Sequence, residues 1–234
     1  MCKKINTEEY YLASIDLLGI KEIILSDKED TKLNQIHNIY KSWPRILRNS
    51  YYQNMRIRFF SDNFVIAIKS DEPRAADKLL STIADICVHF LRCGYKPRGG
   101  VTKGQFYIDD VFVWGQGLVA AYLIESNQAK YPRIVIDDVV VNDATHHLAD
   151  ILFLKDEDGK IILNYLRGFG RSKEIWLNYI NTVLMWLKPE IDMVMEMSKN
   201  NNSNAEIRKV YEKLTWLLGY VEEQKQYWQC YKSQ

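Results

Sequence analysis

Long apolar runs and an excess of charge of either sign are both missing from this sequence of 234 residues. The 31 basic and 30 acidic residues leave a net charge of +1, so no global field marks a nucleic-acid binder or a membrane-surface protein. No stretch reaches the roughly 18 uninterrupted apolar residues of a spanning helix, and residues 1–6 show no apolar signal-peptide region. We therefore expect a cytoplasmic protein that contacts neither nucleic acid nor membrane. A near-neutral net charge still allows the protein to bind a small anionic ligand.

Cysteine is scarce and forms no recognisable spacing pattern. The four cysteines are Cys2, Cys87, Cys93 and Cys230. None of them belongs to a Cys-x-x-Cys pair, so the sequence favours neither a zinc site nor a disulfide framework. We expect reduced thiols, as in cytosolic proteins.

Core-forming residues, in contrast, are abundant. The sequence is 47% hydrophobic and 26% charged, which is typical of a globular protein. Its length suffices for one domain with a helical appendage. We predict a first domain over residues 1–170. From residue 171 two amphipathic helical stripes flank a polar loop at 199–204, which predicts a C-terminal helical hairpin over 171–234 that packs on the first domain or on a second copy of the chain.

A β-hairpin is predicted over residues 56–68. Two short runs rich in aromatic and β-branched residues flank Ser61-Asp62-Asn63, a composition typical of a tight turn. Asp62 is therefore expected at or beside the hairpin tip.

A second acid is expected near this tip. The apolar run Tyr10–Ile15 predicts a strand that ends at Asp16 and turns at Gly19. If the two strands are neighbours, Asp16 and Asp62 face one point in space. Two bare carboxylates about 4 Å apart would repel by roughly 4 kcal/mol at an effective dielectric constant near 20. Such a pair needs either a divalent cation or a shared proton, and the cation is our working hypothesis.

The remaining pattern predicts an α+β fold. Helical periodicity covers residues 20–49, 73–93 and 115–128, with a break near 26–32. The basic, glycine-containing segment 96–104 suggests a backbone that lies close to something anionic, and residues 105–113 look like the remainder of a hairpin that turns at Asp109-Asp110. Short strands are predicted at 133–136, 151–155 and 160–165. The order β-α-β-β-α-β is that of a ferredoxin-like or palm sheet, for which we expect the helices on one face. Fold alone does not define function.

An ordered set of short motifs over residues 10–126 resembles one family. The set comprises Ile15-Asp16-Leu17-Leu18-Gly19, then Ser61-Asp62, then Arg98-Gly99-Gly100-Val101-Thr102-Lys103-Gly104, then Val113-Trp114-Gly115 and a helix that ends with Glu125. In order and approximate spacing it is similar to the class III nucleotide cyclase catalytic domain. Within that family it most resembles the bacterial pyrimidine cyclases of the Pycsar antiphage systems, which make cyclic CMP or cyclic UMP as an alarm signal.

The resemblance implies a site that binds two divalent ions. Asp16 and Asp62 would be the metal-binding carboxylates, and the backbone carbonyl of Leu17 would help to hold the second ion. Oxygen ligands suit Mg²⁺ or Mn²⁺. The ions would polarise the α-phosphate and lower the pKa of the ribose 3′-hydroxyl, which attacks in line and releases pyrophosphate.

The same resemblance implies the residues that bind the nucleoside triphosphate. Arg98 takes the place of an arginine that contacts the triphosphate, and its guanidinium fork matches phosphate oxygens. Further substrate-binding positions are Lys103, Leu18 and Gly19.

Two positions depart from the family's pattern on the helix at 115–128. Val119 and Leu123 stand where adenylyl and guanylyl cyclases carry an asparagine and an arginine that steady the ribose and the developing charge. Losing such a donor lowers the rate by about 10²- to 10³-fold. Another residue must then replace it, or the cyclase is weak or inactive. The candidate replacements are Lys103, Arg133, Lys155 and Lys160.

The base-reading positions also depart from those of purine cyclases. Arg58 and Phe112 replace the polar pair that reads a purine; Phe112 could stack on any base and Arg58 could donate to a carbonyl such as a pyrimidine O2. In this family the metal-binding half of one chain faces the base-reading half of its partner. The resemblance therefore implies a homodimer with composite active sites.

Three functions follow, in order of preference. The first is a metal-dependent cyclase that converts CTP or UTP to a 3′,5′-cyclic monophosphate. The second is a catalytically degenerate cyclase-like module that binds a nucleotide or a protein partner. Val119 and Leu123 favour this second function. The third, a palm-type polymerase, lacks the Gly-Gly-Asp-Asp type of signature. A purely structural interpretation, with Asp62 as a turn residue and Asp16 as a helix cap, stays open.

Overall fold

The computed structural model describes residues 4–46, 54–61, 63–168, 171–200 and 205–231. Its strands are β1 (Glu8–Leu18), β2 (Arg56–Phe60), β3 (Asn63–Lys69), β4 (Lys96–Ile108), β5 (Val113–Trp114), β6 (Ile134–Ile136), β7 (Phe153–Lys155) and β8 (Ile161–Leu163). Its helices are α1 (Ile20–Ser26), α2 (Thr31–Ile46), α3 (Ala75–Arg92), α4 (Gln116–Gln128), α5 (Asp138–Asp143), α6 (His146–Leu152), α7 (Lys173–Asn200) and α8 (Ala205–Cys230). The predicted α+β class is confirmed.

One mixed sheet organises the chain. Its order is β2-β3-β1-β4-β6-β8-β7, and β5 pairs with β4 beside this path. β1 is antiparallel to both β3 and β4, whereas β4 and β6 are parallel. With α1 and α2 after β1 and α3 between β3 and β4, the first four strands form the β-α-β-β-α-β unit of a ferredoxin-like fold. The predicted palm-type sheet is confirmed by this strand order.

β1 is buried on both of its faces. Successive side chains of a strand point to opposite sides, so Ala13 and Ile15 enter the large core beneath α3, whereas Leu12 enters a smaller core with Leu118 of α4. We expected the helices on one face of the sheet. α4 instead covers the opposite face, because β1 is apolar on that side as well.

α4 lies against β4 at a distance that only a glycine permits. A methyl group on Gly100 would meet the carbonyl oxygen of Ala121, and it would lie 2.6 Å from Cβ of Ile124 and 2.8 Å from the amide nitrogen of Glu125. The absent side chain of Gly100 therefore lets the helix backbone approach the sheet, as small residues do at close contacts.

The predicted C-terminal helical hairpin is formed by α7 and α8. Its buried Trp176, Ile180 and Leu187 share one core with α3, and α7 continues through Pro189 as the periodicity predicts. Because this core is continuous with that of the sheet, the hairpin packs on the first domain. The division of the chain at residue 170 stays a prediction.

A buried polar group of side chains docks α8 on the segment after β8. Asn164 donates a hydrogen bond to Gln224 (3.0 Å), and the Tyr220 hydroxyl donates to Asn164 (2.8 Å). Arg167 also donates to Gln224 (2.8 Å). The Gln224 oxygen thus accepts two of these hydrogen bonds, which tie α8 to this segment.

Several smaller predictions can be compared directly. Residues 151 and 152 belong to α6, so the strand predicted at 151–155 is shorter. Three cysteines are free thiols as expected: Cys87, Cys93 and Cys230. Cys2, residues 47–49 of the predicted helix and residues 201–204 of the predicted loop lie outside the described residues. Within the described ranges, no helix combines the length and the apolar character needed to cross a membrane.

Candidate active site

Three neighbouring strands bring polar side chains into one row at the end of β1. Asp16 pairs with Arg98 on β4 and with Asn63 on β3. Directly paired residues of antiparallel strands lie on the same face. That face is the one covered by α4.

Asp62 lies outside the described residues. The residues around it behave as the sequence predicts, because Phe60 pairs with Asn63 and Ser61 has a left-handed φ of 58°. Asp62 immediately precedes Asn63, the residue opposite Asp16. The expectation that Asp16 and Asp62 face one point stays a prediction.

Arg98 bridges two carboxylates. Its Nη2 donates to Asp16 Oδ2 at 2.8 Å and to Glu125 Oε1 at 3.0 Å. The side chains of Arg98 and Asp16 are 22% and 14% exposed, so this ion pair is shielded from much of the solvent. Charge-assisted hydrogen bonds in such surroundings are stronger than their exposed counterparts.

Glu125 is the member of this ion-pair group that was not predicted from the sequence. It lies on the buried side of α4, its side chain is 3% exposed, and Ser14 Oγ donates to its Oε2 at 3.3 Å. In the ordered motifs Glu125 marks only the end of a helix. Its position one turn after the small residue Ala121, on the stripe that faces Gly100, was the available signal.

Asp16 has the chemistry of a cation ligand. Its carboxylate is partly exposed and already attracts one cationic group, the Arg98 guanidinium. Carboxylate oxygens suit Mg²⁺ or Mn²⁺, so this residue fits a divalent ion. The described residues contain no cluster of three or more His, Cys, Asp or Glu side chains placed to hold an ion. The two-ion ligand set with Asp62 therefore stays a prediction.

The backbone around Leu17, Leu18 and Gly19 turns sharply after Asp16. The Leu17 side chain is buried in the large core, which leaves its backbone rather than its side chain for a ligand. Gly19 has φ 83°, a left-handed conformation that favours glycine, and it precedes the first residue of α1. The predicted glycine-permitted turn is confirmed.

Arg58 and Phe112 meet at the loop between β4 and β5. Arg58 donates to the Asp109 carbonyl and to Asp110 Oδ1 (2.6 Å), and the Phe112 amide donates to Asp109 Oδ1 (2.7 Å). Hydrogen bonds from the Val111 amide, the Tyr107 hydroxyl and the Phe112 amide hold the pKa of Asp109 below its usual value. The two predicted base-reading residues are thus brought together.

Phe112 also forms an aromatic surface. Its ring stacks on Trp114 with centroids 6.0 Å apart and an interplanar angle of 19°. Both rings line an open groove of about 430 Å³ together with Tyr107 and residues 5–7. A flat ring beside a groove is suited to stacking on a base.

Lys103 lies on the other face of the sheet from Asp16. It pairs with Tyr11, and its Nζ is 3.3 Å from both Asp143 Oδ2 and Glu9 Oε2. Burial opposes its charge, but the hydrogen bonds to Asp143 and Tyr11 outweigh burial and raise the pKa of Lys103. The structure does not bring this residue to Asp16 and Arg98, because neighbouring positions of a strand alternate between faces.

The other candidate replacements for the missing arginine divide into two groups. Arg133 is buried in ion pairs with Asp156 and Asp158, so both of its Nη groups are already engaged. Lys155 and Lys160 belong to the β7–β8 hairpin and its turn. Lys160 lines a cleft of about 300 Å³ together with Ile124 and Gln128 of α4. Lys155 does not line this cleft.

Val119, Tyr122 and Leu123 form an exposed apolar strip on α4. Leu123 is 48% exposed, and its two neighbours are exposed to a similar degree. Trp114 and Phe112, which precede this helix, are exposed as well. Exposed apolar side chains on one helix face are suited to an interaction with another protein.

No profile of a known protein family and no curated protein sequence matches this chain. Similar solved structures include the guanylate cyclase domain of RhGC from Catenaria anguillulae in complex with GTP, with 14% identity, a TM-score of 0.49 and coverage of 68% of this chain and 96% of that one. The adenylyl cyclase CyaB from P. aeruginosa has 13% identity, a TM-score of 0.49 and coverage of 68% and 94%. A class III adenylyl cyclase-like ATP-binding protein from Pseudomonas aeruginosa has 11% identity, a TM-score of 0.46 and coverage of 66% and 38%. Likenesses at this level carry no argument about function, and the fold assignment rests on the strand order.

Proposed function

We propose that this protein is a metal-dependent nucleotide cyclase that converts CTP or UTP to its 3′,5′-cyclic monophosphate and pyrophosphate. The observation that supports it most directly is the row of Asp16 and Arg98 at the end of two paired strands. A partly exposed carboxylate beside a phosphate-matching guanidinium is an arrangement suited to a cation–triphosphate complex. The motif resemblance along residues 10–126 supports the same chemistry.

In this proposal the chain supplies the ligands and positions the substrate. Asp16, Asp62 and the Leu17 carbonyl would hold Mg²⁺ or Mn²⁺. When bound there, the ions would supply Lewis-acid polarisation of the α-phosphate and would lower the pKa of the ribose 3′-hydroxyl. The 3′-oxygen forms a bond to the α-phosphorus as the bond to the β-phosphate oxygen breaks. The hydroxyl proton passes to solvent, and Arg98 binds the negative charge of the departing pyrophosphate.

The aromatic loop at Phe112 and the exposed strip on α4 support a proposal for how the base is bound and how two chains assemble. Phe112 would stack on the base and Arg58 would orient it; the four hydrogen bonds of Arg58 to Ile57, Asp109 and Asp110 hold it at this loop. The exposed apolar side chains of Val119 and Leu123 support a homodimer with composite sites, in which a second copy of the chain would cover them. The pyrimidine product would act as an antiphage messenger, in line with the Pycsar resemblance.

A second candidate function is a non-catalytic cyclase-like module that binds a nucleotide or a protein partner. Val119 and Leu123 favour it, because two apolar side chains occupy the positions where the family places an asparagine and an arginine. Such a module would bind a triphosphate without releasing pyrophosphate.

Product analysis distinguishes these functions. The full chain is incubated in turn with ATP, GTP, CTP and UTP in the presence of Mn²⁺, and products are identified by mass spectrometry. We expect a cyclic pyrimidine monophosphate from the native protein and none from Asp16→Asn or Asp62→Asn. Glu190→Gln is the matched control, because it removes one carboxylate that pairs with Lys96 on β4 and leaves Arg98 untouched. Binding without product would favour the module, and equal product from all variants would refute the assigned site.

A further inference from the structure

Arg98 has hydrogen-bonding capacity that the described chain does not use. A guanidinium carries five N–H donors. Nη2 serves both Asp16 and Glu125, whereas Nε is buried and has no hydrogen-bond partner among the described residues. Buried donors without an acceptor are uncommon in native structures. An anionic ligand beside Arg98 would reach the guanidinium through its Nη groups, because Nε is enclosed by the chain.

The two carboxylates that share Arg98 differ in how well they tolerate losing it. Glu125 is almost fully buried, with Ser14 as its neutral donor. A carboxylate in that position needs a cationic partner, since burial disfavours the charged form. Asp16 is more exposed and lies at the end of β1, so solvent or another cation can replace the guanidinium there.

The close packing of α4 explains why Glu125 holds a fixed position. Its amide nitrogen lies against Gly100, two residues after Arg98 on the same strand. Helix and strand backbones therefore bring the carboxylate to Arg98 without a flexible connection. Asp16 reaches Arg98 from the opposite side through the β1–β4 pairing.

We propose that Glu125 is a positioning residue that anchors Arg98, and that Arg98 exchanges its contact with Asp16 for the phosphate oxygens of a triphosphate when the ligand binds. Arg98 then acts as an internal cation for Asp16 in the free protein. Ligand binding separates the pair and releases Asp16 for a divalent ion. The inference rests on the proposed function for the identity of the triphosphate ligand.

This exchange has a consequence that a simple metal ligand would not show. Asp16 competes with the triphosphate for Arg98, so Asp16→Asn should bind inorganic triphosphate more tightly than the native protein in the presence of EDTA. Because the Asp16–Arg98 hydrogen bond is charge-assisted, we expect its loss to lower the dissociation constant for inorganic triphosphate by about tenfold. Glu125→Gln should change the affinity in the other direction by a similar factor, because Arg98 is then held by Asp16 alone.

Isothermal titration calorimetry of the full chain tests both expectations. The probes are inorganic triphosphate in EDTA and CTP with Mn²⁺, and far-UV circular dichroism verifies the fold of each variant. Glu190→Gln removes the same amount of charge as Asp16→Asn, and we expect it to change either affinity by less than about twofold. This control separates release of Arg98 from a general change in net charge.

A second variant keeps the test decisive if Glu125→Gln does not fold. Ser14→Ala removes the hydroxyl that donates to Glu125 and leaves every charge in place, so it should weaken triphosphate binding by a smaller factor, about two- to fivefold. Native affinity in Ser14→Ala, and in any folded Glu125→Gln, would overturn the positioning role.

The outcomes separate this inference from the proposed function. Native protein that binds triphosphate while Asp16→Asn binds it no more tightly would refute the exchange and leave the cyclase proposal intact. Native protein that binds neither inorganic triphosphate nor CTP would refute both.

Discussion

Replacing Gly100 by alanine would place a methyl group where α4 touches β4. The new carbon would lie 2.6 Å from Cβ of Ile124 and 2.8 Å from the amide nitrogen of Glu125, and it would also meet the carbonyl oxygen of Ala121. Two of these neighbours are backbone atoms, so no side-chain rotation relieves the overlap. The helix must move away from the strand.

Gly100→Ala should lower the free energy of unfolding by an amount at the upper end of the range typical of overpacked cores. Such insertions typically lower the free energy of unfolding by about 1–3 kcal/mol, and we expect about 3 kcal/mol here. For a chain of this size, each kcal/mol shifts the melting temperature by about 2–4 °C. Gly100→Ala should therefore melt roughly 6–12 °C below the native protein. Movement of α4 also withdraws Glu125 from Arg98, so triphosphate affinity should fall as well.

Gly219→Ala is the matched control for this prediction. Gly219 lies in α8, and no atom comes within 4 Å of the position that its Cβ would occupy. Alanine there should raise the free energy of unfolding by about 0.5–1 kcal/mol, because glycine is the poorer helix former. Thermal unfolding followed by circular dichroism measures both variants. A Gly100→Ala protein that melts at or above the native temperature would refute the close packing of α4.

Three further predictions follow from other parts of the structure. Leu123→Glu should convert the predicted dimer to a monomer in light scattering, because it places a charge in the exposed strip of α4. The control Met185→Glu, at a position 79% exposed on α7, should leave the mass unchanged. A Leu123→Glu protein that is still a dimer would contradict the predicted interface. Arg133→Met should lower the free energy of unfolding in urea by about 3 kcal/mol, since it leaves the largely buried Asp156 without its cation; a loss below about 1 kcal/mol would show that solvent compensates the carboxylate. Burial and the neighbouring Arg92 lower the pKa of His89 from its ordinary value of 6.5, so the fold favours the neutral imidazole. Stability from His89 is then present above pH 6.5 and is lost as the pH falls through the lower folded-state pKa; between about pH 7 and pH 5 the urea midpoint should fall more steeply in the native protein than in His89→Gln.

Local chemistry was readable from the sequence at the strand that carries Asp16. An apolar run followed by Asp16 and Gly19 predicts a strand and a turn, and both are present with Gly19 at φ 83°. The β2–β3 hairpin and the break between α1 and α2 were predicted for the same reason, because turn residues and side-chain periodicity act over a few positions. These parts of the fold depend on neighbours in the chain.

The partners of each charged residue were not readable in the same way. Lys103 follows Arg98 by five positions within one basic, glycine-containing motif, yet it lies on the opposite face of the sheet. Arg133 was a candidate for the site and is instead buried among acids of the β7–β8 turn. Positions five apart on one strand lie on opposite faces, but the sequence did not indicate that residues 96–108 form a single continuous strand. The acids that surround Arg133 come from a distant hairpin, which spacing along the chain cannot identify.

The sequence by itself determined the order of strands and helices from β1 to α3, the turn after Asp16 and the acid and arginine types that the proposed triphosphate site requires. Only the tertiary structure decided that Glu125 shares Arg98 with Asp16, that α4 covers the second face of the sheet and that Lys103 lies elsewhere. The physical reason is the distance along the chain over which each interaction acts. Backbone propensity and periodicity act within a few residues, whereas an ion pair between residues 98 and 125 exists only after the sheet has its register and Gly100 has admitted the helix.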